Sequence, residues 1–148
     1  MKYGPHKSSL FDLDANIAAL LIYLLPMLIG FITDSLNSIA WIIPLLAFIF
    51  EKESGFVIFH AANALSFYVI KAVLYFITLF MGFSTVLSTV LLGGITSILI
   101  FVIIIAVLIV NFIIFIITIV SMIKAYNYEE IIIPVLSNIT HFIINLKR

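Results

Sequence analysis

The sequence has no cysteine and very little charge. Without Cys there are no disulfides, no thiolate metal sites and no Cys nucleophile. Seven Lys and Arg balance seven Asp and Glu in 148 residues, so only 9% of the chain is charged and the formal net charge is zero. Soluble domains carry about 25% charged residues. Here 65% of the residues are hydrophobic, and mean hydropathy is +1.36. So few charges cannot cover that much apolar surface in water. A soluble enzyme, a nucleic-acid binder and a disordered tail are therefore not expected.

Recognisable chemistry is also missing. There is no His-Glu-x-x-His helix, no Gly-x-Ser-x-Gly elbow and no phosphate loop. The three His residues, His6, His60 and His141, lie in separate segments. Glu51 and Glu53 flank Lys52, which reads as a short solvated loop. Within the long apolar stretches there is no Asp or Glu, so a carboxylate proton relay is not expected. No catalytic residue, cofactor or metal site is expected.

What is present is a set of long uncharged runs. Ala15 to Thr33 is 19 residues, enough to cross about 30 Å of hydrocarbon. It follows a short basic start but is too long for a signal-peptide core, so cleavage is not expected. Ser35 to Phe50 is 16 residues, and from Ser54 to Ile123 the only charge is Lys71. We read an all-α polytopic membrane protein, one domain over residues 1–148. It has four transmembrane helices at about 15–33, 37–51, 56–81 and 95–123, with a break at Gly82 to Gly94. The second is short and carries Pro44, so a re-entrant loop competes with a span. Charge decides for the span. Four crossings place Lys2, Lys7, Lys52, Lys124, Lys147 and Arg148 on one side and no Lys or Arg on the other. By the positive-inside rule both termini are then cytoplasmic, in the cell membrane of a bacterium or archaeon.

The tail predicts an amphipathic helix over about 131–146. Val135, Ile139, Phe142, Ile143 and Leu146 share one face, opposite Ser137, Asn138, His141, Asn145 and Arg148. It either lies on the inner leaflet, docks a partner, or packs on its own bundle.

The third span carries a polar stripe. At 100° per residue His60, Asn63, Lys71, Tyr75 and Thr78 fall within roughly a third of the helix circumference. With Asn111 of the fourth span they form the candidate polar or partner site. Lys71 costs about 3 kcal/mol near the membrane centre and needs a partner or an outward path. It either snorkels outward, serves a transport or partner site, or meets the first span. There Pro26 frees the carbonyl of Ile22, and Tyr23 lies at similar depth. Asn63 and Asn111 are expected to hydrogen-bond between helices.

One stretch resembles a known family. Trp41 to Leu65 holds Pro44-Leu45, a short charged loop from Glu51 to Ser54, and Phe56-Val-Ile-Phe-His60-Ala-Ala-Asn63-Ala-Leu65. This is similar to a bacterial and archaeal family of small four-helix membrane proteins. That family is related to the small multispanning component of the chloroplast inner-envelope protein translocon, the Tic complex. Ala125, Tyr126 to Glu130 and Pro134 resemble its later signature. Where the family has Lys-Gln this chain has Ala62-Asn63, Ile58 replaces a frequent Arg, and the Gly of the late loop is missing. The resemblance implies the same four-helix topology and work inside a membrane complex.

The leading functional expectation is a non-enzymatic subunit or accessory of a membrane complex that handles proteins or peptides. Its expected partners are the bilayer and another membrane protein, not nucleic acid. The alternatives are a small transporter or channel lined by the polar stripe, and bacteriocin immunity or membrane-stress protection.

Overall fold

A computed structural model describes residues 2–32, 39–92 and 97–147. These are all-helical, without strands: α1 (Ala15–Ile32), α2 (Ile42–Phe50), α3 (Gly55–Leu92), α4 (Ser97–Tyr126) and α5 (Pro134–Asn145). They form two compact units, Met1–Tyr68 with Ile117–Arg148, and Val69–Ile116. Both α3 and α4 pass from one unit into the other.

Among the described residues, two helices are long and apolar enough to cross a membrane, over Gly55–Ser84 and Phe101–Tyr126. This corrects the expectation of four. In α2 only nine residues are helical, about 13 Å of rise. It starts after Trp41 and takes Pro44 in its first turn, where a missing N–H costs nothing. It stops where Glu51 turns extended. Among the described residues the apolar stretch of α1, Ala15–Gly30, is shorter than those two. Conversely, α3 runs past the expected break at residue 82. The Ser84 hydroxyl donates to the Phe80 carbonyl within the same helix (2.9 Å), so this polar residue does not end it. The Gly93-Gly94 pair lies outside the described residues.

The first unit is built around the N-terminal half of α3. Ser54 caps that helix, its Oγ accepting the Val57 N–H at 3.2 Å. Phe56, Val57, Ala61, Ala62, Ala64 and Phe67 are buried on several sides. The small side chains let neighbouring backbones approach closely. Rings of Tyr3 and Tyr128 pack on Phe56, with centroids 5.1 and 5.7 Å away.

Two backbone features are unusual. Residues 6–15 form a tight hairpin whose tip, Phe11 and Asp12, has φ of 56° and 55°. Hydrogen bonds Leu13 N–H to Leu10 O and Ser8 N–H to Leu13 O close it, as in a type I′ turn. Phe11 is 91% exposed at that tip. Tyr128 also has a positive φ, 58°. It ends α4 in a Schellman arrangement: the Glu129 N–H donates to the Lys124 carbonyl and the Tyr128 N–H to the Ala125 carbonyl. Glycine is the usual residue there. Tyr128 keeps the left-handed conformation, at a cost on the order of 1 kcal/mol, and places its ring against Phe56 and His6.

The tail helix α5 forms where expected, but its buried face is rotated. Leu136 and Thr140 are buried, whereas Phe142 and Leu146 are exposed. The reason is polar: Thr140 is drawn inward by Ser66, their hydroxyl oxygens 3.0 Å apart.

Candidate functional site

Only part of the predicted polar stripe gathers into a site. Within the first unit, the Asn63 amide donates to the Tyr23 hydroxyl oxygen (3.1 Å). The Tyr23 hydroxyl lies 3.0 Å from His60 Nδ1. With its oxygen taken by Asn63, Tyr23 donates to Nδ1, which assigns the ring proton to Nε2. Nε2 makes no hydrogen bond of good geometry, and its polar neighbour is the Glu129 backbone. Thr140 reaches Asn63 Oδ1 at 3.5 Å, and Ser66 also donates to the Ala62 carbonyl (2.9 Å). Tyr23, His60, Asn63, Ser66 and Thr140 are all buried. The cluster ties α1, α3 and α5 together from inside. A network like this is stabilising when complete and costly when broken. Tyr23→Phe removes the shared hydroxyl and strands both His60 Nδ1 and the Asn63 amide. We expect a loss of about 1–3 kcal/mol, read as a lower thermal midpoint in mild detergent.

Lys71, Tyr75, Thr78 and Asn111 belong to the second unit, where all four are exposed. Thr78 donates to the Leu74 carbonyl and Asn111 to the Val107 carbonyl, each within its own helix. Tyr23, considered a partner for Lys71, has its hydroxyl engaged by His60 and Asn63. Ile22 is buried in the first unit. Helical spacing placed these side chains on one stripe, but packing buries that stripe only near its start.

A second polar centre had no sequence signal. Glu51, read as part of a solvated loop, is fully buried. Its carboxylate accepts hydrogen bonds from the Ser8 hydroxyl, the Ser9 hydroxyl (2.7 Å) and the Ser9 N–H (3.2 Å). The Glu53 and Ser54 N–H groups add two more, at 3.0 and 2.9 Å. Burial alone would raise its pKa; these donors override that and hold it down at about 2. The Lys147 ammonium donates to the Phe48 and Glu51 carbonyls and sits 5.1 Å from the Phe48 ring centroid. His6 Nε2 lies 2.7 Å from the Ser54 hydroxyl. One carboxylate thus fastens the N-terminal hairpin to the α2–α3 loop, and the C-terminal lysine closes over it.

Nearby, Tyr3 donates to Glu130 at 2.7 Å. Burial, then Glu130 itself, pushes the Tyr3 phenol up to about 12. Lys124 pairs with Glu129 at 2.5 Å and Lys7 with Asp14 at 3.2 Å. Among the described residues no three His, Asp or Glu converge as metal ligands. The arrangement holds elements of the first unit together.

A family model described as the magnetosome magnetite crystal formation protein family, MamF/MmsF, matches residues 14–140. Neither a curated protein nor a solved structure matches. The match agrees with a small prokaryotic membrane-protein family and brings no support to the relation with the chloroplast translocon component. Covering most of the sequence, from the last residue before α1 to Thr140 of the polar cluster, it places the chain in the MamF/MmsF family.

Proposed function

We propose that the chain is a non-enzymatic integral membrane protein acting as a subunit or accessory of a membrane complex. The observation that carries this reading is the surface of the second unit. Phe76, Phe80 and Phe83 of α3 and Phe101, Leu108 and Phe112 of α4 are 63–71% exposed. Large apolar side chains in such number need lipid or a protein partner around them. Two successive crossings by α3 and α4 return the chain to its starting side. The stretch between them carries no Lys or Arg, and Lys2, Lys7, Lys52, Lys124, Lys147 and Arg148 all lie on the other side. The positive-inside rule then makes both termini cytoplasmic with two crossings, as it did with four.

The family description links its members to magnetite crystal formation in magnetosomes. Carried to this chain, it implies a place in a membrane that surrounds or supplies a growing mineral. Glu51 is buried, and Glu130, Glu129 and Asp14 bond to Tyr3, Lys124 and Lys7, while Asp12 and Glu53 are exposed. A peptide-handling role rests on the translocon resemblance alone. A transporter lined by the polar stripe is less well supported, since His60 and Asn63 bond inward. The test is affinity purification from the native host in mild detergent, read by mass spectrometry. We expect a stoichiometric membrane partner; a chain that comes out alone would contradict the accessory reading.

A further inference from the structure

A cleft of about 770 Å³ lies between α1, α2 and the N-terminal hairpin, within the size range of small-ligand sites. Its walls are apolar, with Leu21 and Leu25 from α1 and Ile43, Leu46 and Phe50 from α2. Along α1 the lining runs from Ala18 to Leu25, about 10 Å of helix. The charged lining residues, Lys52 and Glu53, are neighbours in the chain just beyond the C-terminal end of α2. Both are exposed. Their backbones are fixed by the Glu51 centre: the Lys52 N–H donates to Ser9 Oγ at 2.9 Å and the Glu53 N–H to Glu51 Oε1 at 3.0 Å. Phe11, exposed at the tip of the left-handed turn, edges the cleft.

An apolar slot whose lining includes one cationic and one anionic residue is complementary to a zwitterionic amphiphile. The phosphate of a phospholipid would meet Lys52 and its amine Glu53. A primary ammonium donates hydrogen bonds to a carboxylate, which a quaternary one cannot. An anionic lipid would satisfy Lys52 but set its charge beside Glu53. An apolar peptide would match the walls and leave both charges unanswered. We propose that this cleft is a specific site for one phosphatidylethanolamine molecule, one acyl chain between α1 and α2 and the headgroup on Lys52 and Glu53. The proposal rests on the membrane reading above.

The test is native mass spectrometry of the full chain in mild detergent. The protein is first reconstituted with equal amounts of phosphatidylethanolamine, phosphatidylcholine and phosphatidylglycerol. One phosphatidylethanolamine per chain should be retained. K52Q should reduce that retention about tenfold, and E53Q should remove the preference over phosphatidylcholine. Both side chains are exposed, so both variants should keep the parent's thermal midpoint. Equal retention of the three lipids, retention unchanged in both variants, or a dimer or co-purified polypeptide in place of lipid would overturn the proposal. Alkaline carbonate extraction separates the two failures. A chain that washes off the membrane sinks the membrane reading itself. One that stays and carries no phosphatidylethanolamine sinks only the lipid site.

Discussion

Replacing Glu51 by Ala should destabilise the first unit by about 2–3 kcal/mol, the range for losing charge-assisted hydrogen bonds in a buried site. The side chain is fully buried and accepts bonds from Ser8, Ser9, Glu53 and Ser54. Truncation strands those donors and loosens the hairpin from the α2–α3 loop. Glu51→Gln keeps one acceptor oxygen but turns two donors toward existing donors, so it should recover only part of the loss. The pH dependence has a definite sign. The folded carboxyl sits at about 2, below its ordinary 4.5. Its contribution is therefore present above pH 4.5 and is lost as pH falls toward 2. Thermal unfolding in detergent between pH 7 and 3 should show the wild type falling steeply below 4.5, with Glu51→Ala low and flatter throughout. Parallel curves for the two proteins would show that Glu51 is not the acid-labile fastening.

The second large effect is expected at Ala61. In the first unit it is fully buried on α3. Ala61→Leu should cost about 1–3 kcal/mol by overpacking, or force α1 or α5 to shift. Eleven residues on, Ala72 lies on the same helix in the second unit and is exposed. Ala72→Leu should be neutral, because the position is exposed. Equal effects at both positions would show that the burial of α3 is not confined to its N-terminal half.

These two sites also mark what was legible in the sequence. The long apolar helices α3 and α4 were visible because the run between Ser54 and Ile123 holds one charge. The same kind of signal hid the length of α2. Hydropathy does not tell a nine-residue helix from a crossing when loop residues beside it are also apolar. His60 and Asn63 were found because polar residues in an apolar helix must be satisfied. Their partners were not, since Tyr23 and Thr140 lie 37 and 77 residues away from them in the chain. Glu51 was misread because charge in a short loop between apolar segments is ordinarily solvated. Ser8 and Ser9, 43 and 42 residues earlier, give no sign of wrapping it. The rotated face of α5 has the same origin: an apolar count chose Phe142 and Leu146, and a hydroxyl pair chose Thr140.

The central claim is that α3 and α4 cross the bilayer and leave every cationic segment on one side. The native chain has no cysteine, so single-Cys variants report directly. Lys52→Cys, Asn127→Cys and Gly94→Cys would be expressed in a bacterial inner membrane and treated with a membrane-impermeant maleimide in spheroplasts. The account predicts labelling of position 94 in intact spheroplasts, and of 52 and 127 only after permeabilisation. Labelling of 52 together with 94 before permeabilisation would contradict it.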